Sequence, residues 1–413
     1  MPTVFAGLMC HAPIVIPAIA GVEASRCTST TRAMREVAVR AVASKPDRIV
    51  LISPHSPRRK TGFGAWKGPH VGDLSAFRAP GVAIRLPDAP EVADKLGITA
   101  IGDGQALDHG AVVPLAFLLE AGWHGPTAII ALPWDGKGGD DLGHKLAALP
   151  GRTAVIASGD MSHSLLPESP NGFHPDGPLF DAAFVDALRA QDWDGALHVR
   201  HQANAAEDVV ESSRVAMAAA GSPVNAEVLS YESPWGVGYT EAIFRDPTPP
   251  LWAVARSAIR AHLRGEQYEA PAGGPSAAPV FVTLHTRTGD LRGCIGTLVA
   301  TTGRRYAEVA AVAPDSATGD PRFPAVTLEE LDALQIEVSS LDPAVDVADP
   351  TELDPKTWGV IMSYQGLRGL LLPGIDGIDT VAQQLDIVRR KAGIPKGAPV
   401  HLQKFTVTKE ASP

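Results

Sequence analysis

Short apolar runs alternate with longer amphipathic segments over about the first 245 residues. Four of the runs, TVFAGLM (3–9), RIVLIS (48–53), TAIIAL (127–132) and TAVIAS (153–158), are rich in β-branched residues, and each is followed by Pro, Gly, Asp or His. Continuous apolar runs of this length predict buried strands. Between the first two, VEASRCTSTTRAMREVAVRAVASK (22–45) spaces Met34, Val37, Val39 and Val42 as a helix would, and is long enough for a crossover. The expected fold is therefore α/β, a largely parallel or mixed sheet flanked by helices.

The segment DPTPPL (246–251) carries three prolines and breaks any regular element, so the first domain is placed at 1–247 and a second at 250–413. In the second, LWAVARSAIRAHLRG reads as a helix closed by glycine, APAGGPSAAP as a loop, and PVFVTLHT and QIEVSSL as strands, which predicts a smaller α+β domain. No internal repeat is present.

Composition narrows the function classes. The chain has 413 residues, 36 Lys plus Arg against 46 Asp plus Glu, and no basic run, which argues against a nucleic-acid footprint and favours small molecules or proteins as partners. Cys10, Cys27 and Cys294 are odd in number and widely spaced, with no CxxC, so neither a disulfide framework nor a cysteine zinc site is expected and a reducing cytoplasm fits. No apolar run reaches membrane-spanning length, and the amino-terminal stretch lacks the basic start of a signal peptide.

The chemistry lies at the strand ends. In open α/β sheets, ligands bind outside the carboxyl ends of the strands. His11 follows the first run, His55 the second (RIVLISPHSP) and His163 the fourth (SGDMSHS), so three imidazoles are aimed at one rim. One histidine in such a place is most often a structural hydrogen-bonder; three together point to shared chemistry. A fourth, His109 in ALDHGAVVPL, follows Asp108, which either orients it or caps the helix behind it. Two neutral imidazoles and one carboxylate with open positions make the facial triad of non-haem Fe(II) oxygenases. For the carboxylate, NAAEDVVESSRVAMAAAG offers Glu207 and Glu211 at i,i+4 spacing.

These four histidine motifs, in order and spacing, resemble the class III extradiol ring-cleavage dioxygenases, the LigB-like family, whose fold also includes the Memo proteins. The resemblance implies that His11 and His55 bind a ferrous ion. It implies a third ligand at the start of a late helix, a position that matches Glu211, with Glu207, Glu232 and Glu241 as rivals. It further implies that His163 is the acid-base residue, that His109 contacts substrate or oxygen, and that the partners are a small catechol-like or aminophenol-like aromatic and O2. The second domain is similar to AMMECR-type domains through LRGCIGTL (291–298), DPRFPAVTLEEL (320–331), IEVSSL, RGLLLP and KAGIP. Memo-like and AMMECR-like domains occur fused or beside a radical SAM protein, so the alternative is a metal-binding module that acts with such a partner without ring cleavage. A homo-oligomer is possible under either reading. Cys294 is read as a small core residue, or as a reactive thiolate if Arg292 lowers its pKa.

Overall fold

A computed structural model describes residues 3–102 and 104–412. They fall into two compact units, one ending at Pro249 and the other beginning at Pro250. In the first, the elements that matter are β1 (Thr3–Met9), α1 (Thr28–Ala43), β2 (Arg48–Ser53), β3 (Gly64–Trp66), β4 (His70–Leu74), β5 (Ala79–Leu86) and β6 (Thr99–Ile101). They continue with α2 (His109–Glu120), β7 (Thr127–Ala131), α3 (Gly139–Ala148), β8 (Thr153–Ser158), α4 (Asp176–Arg189), α5 (Val209–Ala220), β9 (Glu227–Glu232) and β10 (Tyr239–Arg245).

Eight strands form one mixed sheet in the order β6-β3-β7-β2-β8-β1-β10-β9. Its centre, β7-β2-β8-β1, is parallel throughout, whereas β3, β10 and β9 join through antiparallel pairs. Every residue of β1, β2 and β8 is buried, because both faces of the sheet are covered. Phe5, Met9, Leu51 and Ile156 pack with Met34 and Val37 of α1 and Val112 and Leu115 of α2. Alternate residues Ala6, Leu8, Val50, Ile52 and Val155 meet Leu142 of α3, Phe180 and Phe184 of α4, and Val215 of α5 on the other face. Each such aliphatic side chain contributes roughly 1.5–3 kcal/mol by leaving water. The strands of this core are thus held rigidly, and their carboxyl ends are fixed at one edge.

The second unit contains α6 (Leu251–Arg264), β11 (Val280–His285), β12 (Leu291–Gly296), α7 (Arg305–Thr318), β13 (Gln335–Leu341), β14 (Val345–Asp346), β15 (Gly359–Tyr364), β16 (Leu367–Leu371), α8 (Val381–Lys391), β17 (His401–Phe405) and β18 (Val407–Ala411). Its strands form two four-stranded antiparallel sheets, β12-β11-β13-β18 and β14-β17-β15-β16. No helix among the described residues is long and apolar enough to cross a membrane.

Candidate metal centre

The three central strands end in register on the chemistry. His11 lies two residues beyond Met9, His55 two beyond Ser53 and Asp160 two beyond Ser158, the last residues of β1, β2 and β8. Since β8 runs parallel between β1 and β2, the loop bearing Asp160 emerges between those bearing the two histidines. His109 arrives separately, as the first residue of α2, whose amino end Asp108 caps by accepting from Ala111 N at 3.1 Å. Asp108 also accepts from Ser56 Oγ at 3.0 Å, tying that helix to the His55 loop. Asp108 thus caps the helix and binds the serines of the β2 end, and no hydrogen bond joins it to the His109 ring among the described residues.

Ring nitrogens of His11, His55 and His109 all lie within 4.8 Å of one another. The Nε2 atoms of His11 and His55 are 3.0 Å apart. Asp208 Oδ2 stands 3.4 Å from His11 Nε2 and 3.1 Å from His55 Nε2. Donors bound about 2.1 Å from a common ion stand about 3.0 Å apart in an octahedral shell and about 3.4 Å apart in a tetrahedral one. The observed spacings fit that geometry.

The hydrogen bonds behind the imidazoles fit it too. Ser158 Oγ donates its one proton to the Gly110 carbonyl at 2.6 Å, so toward His11 Nδ1, 2.9 Å away, it can only accept. The proton on Nδ1 leaves Nε2 as the atom that faces the centre, as a metal-bound histidine requires. The His11 backbone N–H donates to Asp160 Oδ1 at 2.8 Å, and Asp160 N in turn donates to Asp208 Oδ1 at 2.7 Å. A single network thereby sets His11, Asp160 and Asp208.

Electrostatics agree with the geometry. Burial opposes charge on His11, but Asp160 and Asp208 overcome it and lift the pKa to about 9. Burial also opposes ionisation of Asp208, yet the His11 and His55 rings hold it well below the usual carboxylate range. His109 moves the opposite way, pushed down to about 4 by burial and by His11 and His55. Asp208 is therefore ionised against the two imidazoles, while His109 is kept neutral.

Glu211, expected as the third ligand, is directed elsewhere. It sits in the first turn of α5 beside Gly136, 3.9 Å from Arg214, and makes no contact with the histidine pair. Asp208 occupies the cap position one turn earlier, where a side chain projects off the helix end toward the sheet rim. The rivals are also committed: Glu207 accepts from Gln202 and from Val210 N, Glu232 from Thr30, and fully buried Glu241 from Ser230. His163 is outside the three-imidazole cluster. Its Nδ1 is buried without a hydrogen-bond partner, and its charge is felt by Asp160 three residues before it. Sequence reasoning passed over both Asp160 and Asp208. The two-residue offset that Asp160 shares with His11 and His55 was the available signal; for Asp208 only its place just before a helix hinted at a role.

The family model described as "Catalytic LigB subunit of aromatic ring-opening dioxygenase" matches residues 6–241. The chain belongs to the LigB family. An AMMECR1 domain, matched over residues 252–409, follows the LigB domain. The same two-part chain is similar to protein CA_C1420 of Clostridium acetobutylicum, 28% identical over 97% of this chain and 98% of that protein. A protein of Thermotoga maritima is 49% identical over 32% of this chain and 75% of its own length. Among solved structures, protein PH0010 of Pyrococcus horikoshii shares 31% identity over 39% of this chain and 89% of that one, with a TM-score of 0.36. The fused LigB-AMMECR architecture and the mixed α/β fold agree with the sequence reading.

In the AMMECR unit Arg292 is bound bidentately by Glu330, at 2.6 and 3.0 Å, and is not directed at Cys294. The half-buried Cys294 thiol lies 3.3 Å from Thr283 Oγ1.

Proposed function

We propose that the LigB domain is a non-haem Fe(II) dioxygenase that opens a catechol-like or aminophenol-like ring with O2, the ion held by His11, His55 and Asp208. The observation that carries this reading is the convergence of two imidazole Nε2 atoms and one carboxylate oxygen at 3.0, 3.1 and 3.4 Å. Bound there, ferrous iron supplies coordination sites for both diol and oxygen and the redox-active centre through which O2 reacts with a closed-shell ring.

The chain's own groups supply the rest. Ser158 fixes the His11 tautomer, and Asp160 holds the His11 backbone in place. His163 is the base for a substrate hydroxyl, since an imidazole nitrogen can accept a proton and give it back within one turnover. His109, kept neutral, offers a hydrogen bond without adding charge. Both oxygen atoms of O2 enter the ring-opened product, so no external reductant is required.

Loading the full chain with Fe(II) anaerobically and then admitting air with a panel of catechols should give O2 uptake and a yellow product. Full iron loading with no turnover across the panel contradicts the reading. A second reading has its own support, because a ring nitrogen of His109 lies within 4.8 Å of those of His11 and His55 and offers a third imidazole donor beside the pair. That arrangement suits a metal-binding module working with a radical SAM protein. Four protein ligands and bound zinc in the protein as isolated would favour it.

A further inference from the structure

We propose that Arg58 reads an anionic substituent on the aromatic ligand of the histidine centre, with the exposed rings of Trp134 and Phe77 flanking the entrance. The inference rests on the reading that the centre takes an aromatic ligand. Arg58 lies three residues past His55 in the loop leaving β2, and its Nε donates to the Pro54 carbonyl at 2.8 Å. Its guanidinium carbon stands 4.9 Å over the Trp134 ring. The Trp134 backbone N–H donates to Arg59 O at 2.9 Å, so the loops after β2 and β7 are fixed to each other here.

What sets Arg58 apart is that it has neither an ion pair nor partners for its Nη groups among the described residues. Arg40 pairs with Asp246 at 2.7 Å and Arg48 with Glu91 at 2.9 Å, and half-buried Arg245, which forms no ion pair there, donates from Nε and Nη1 to the Thr3 and Ala220 carbonyls. Arg58 is half-buried with no ion pair among the described residues, and its two Nη groups make no hydrogen bond there. Burial depresses its pKa even though Asp208, Glu211 and Glu207 act in the opposite sense. Asp208 is the same carboxylate that stands 3.1 Å from His55, which puts the guanidinium within electrostatic reach of the centre. A planar fork of free N–H donors in a partly dry place matches a carboxylate.

The flanking rings complete the match. Trp134 is 69% exposed and Phe77 40% exposed. Phe77 lies 5.4 Å from the His109 ring, and His109 in turn lies 4.5 Å from His55. One solvent-facing aromatic ring beside His109 and another beneath Arg58 suit a planar ligand whose edge reaches Arg58.

The test is calorimetric titration of the anaerobic, Fe(II)-loaded full chain with 3,4-dihydroxybenzoate and with its neutral methyl ester. Wild type should bind the acid at least about tenfold more tightly, and in Arg58→Gln that ratio should fall below about twofold, with Arg58→Lys between them. Unchanged melting temperatures would show that the variants fold. Equal binding of acid and ester by wild type, or an undiminished preference in Arg58→Gln, overturns the proposal while leaving the diol reading intact. A non-chelating acid, 3,4-dimethoxybenzoate, separates the two ideas. If neither diol binds but this acid binds wild type and not Arg58→Gln, the arginine keeps its role and the diol reading fails. If none of the three binds, both fall.

Discussion

The LigB centre and the signature region of the AMMECR unit both gather charged groups from separate elements, yet they leave those groups in opposite states. In the AMMECR unit, the most recognisable motifs close on one another. Asp320, nearly fully buried, accepts from Cys294 N at 2.9 Å, from Arg322 N at 3.1 Å and from the Arg322 side chain at 2.6 and 2.9 Å, while Arg292 is clamped by Glu330. Each charge there has its partner. In the LigB domain, two Nε2 atoms face each other and a carboxylate at hydrogen-bonding distance, His163 Nδ1 is buried with no hydrogen-bond partner, and Arg58 forms no ion pair among the described residues. A distinctive motif can therefore be a structural clasp, and groups left under-compensated mark the place where a ligand enters.

The contrast can be broken most forcefully at the histidines. His11→Ala should reduce bound Fe(II) from about one equivalent to near zero, measured by elemental analysis after gel filtration, because it removes a ligand whose tautomer the fold prepares. Asp208→Asn should weaken Fe(II) binding by about 100-fold, whereas Glu211→Gln should change it by less than about threefold. Equal losses in the two variants would contradict the assignment of Asp208. Ser158→Ala should cost about 10- to 100-fold in metal affinity with little change in melting temperature, since it frees the His11 tautomer without opening the core.

On the other side of the comparison, Asp320→Asn should lower stability by about 2 kcal/mol in urea unfolding and leave metal binding untouched. The Arg322 side chain holds the Asp320 carboxyl well below the ordinary range. Its contribution is accordingly present above about pH 4 and disappears only as the solution becomes strongly acidic.

A last effect, confined to the pH dependence of stability, concerns Glu241. It is fully buried in β10 and one of its carboxylate oxygens has no partner; burial lifts its pKa to about 8. The native state then holds a proton that the unfolded chain releases above its own lower pKa. Stability is greatest below that unfolded value and declines as pH rises toward 8, by at most about 1.4 kcal/mol per pH unit. Glu241→Gln should flatten this decline in melting temperature between pH 5 and pH 8, ranges set by the same shift.

Much of the fold was readable from the sequence because β1, β2, β7 and β8 are covered on both faces and so appear as unbroken apolar runs. The short edge strands β3 and β6, three residues each, leave no such trace. At the site, His11, His55 and His109 were legible since an imidazole after a buried strand or before an apolar helix is conspicuous. Asp208 was not. Its role depends on where α5 begins and how its cap projects, and the choice among Glu207, Asp208 and Glu211 turns on a rotation of about 100° per helical residue that sequence does not anchor. Arg58 was invisible for another reason: an unpaired arginine is recognised only once the partners of every other charge are known.

The most direct test is anomalous diffraction from crystals of the full chain loaded with Fe(II) under anaerobic conditions. A single iron peak about 2.0–2.4 Å from His11 Nε2, His55 Nε2 and an Asp208 carboxylate oxygen is the predicted result. A peak bonded to Glu211 in place of Asp208, or none between the two histidines at full occupancy, would contradict the account.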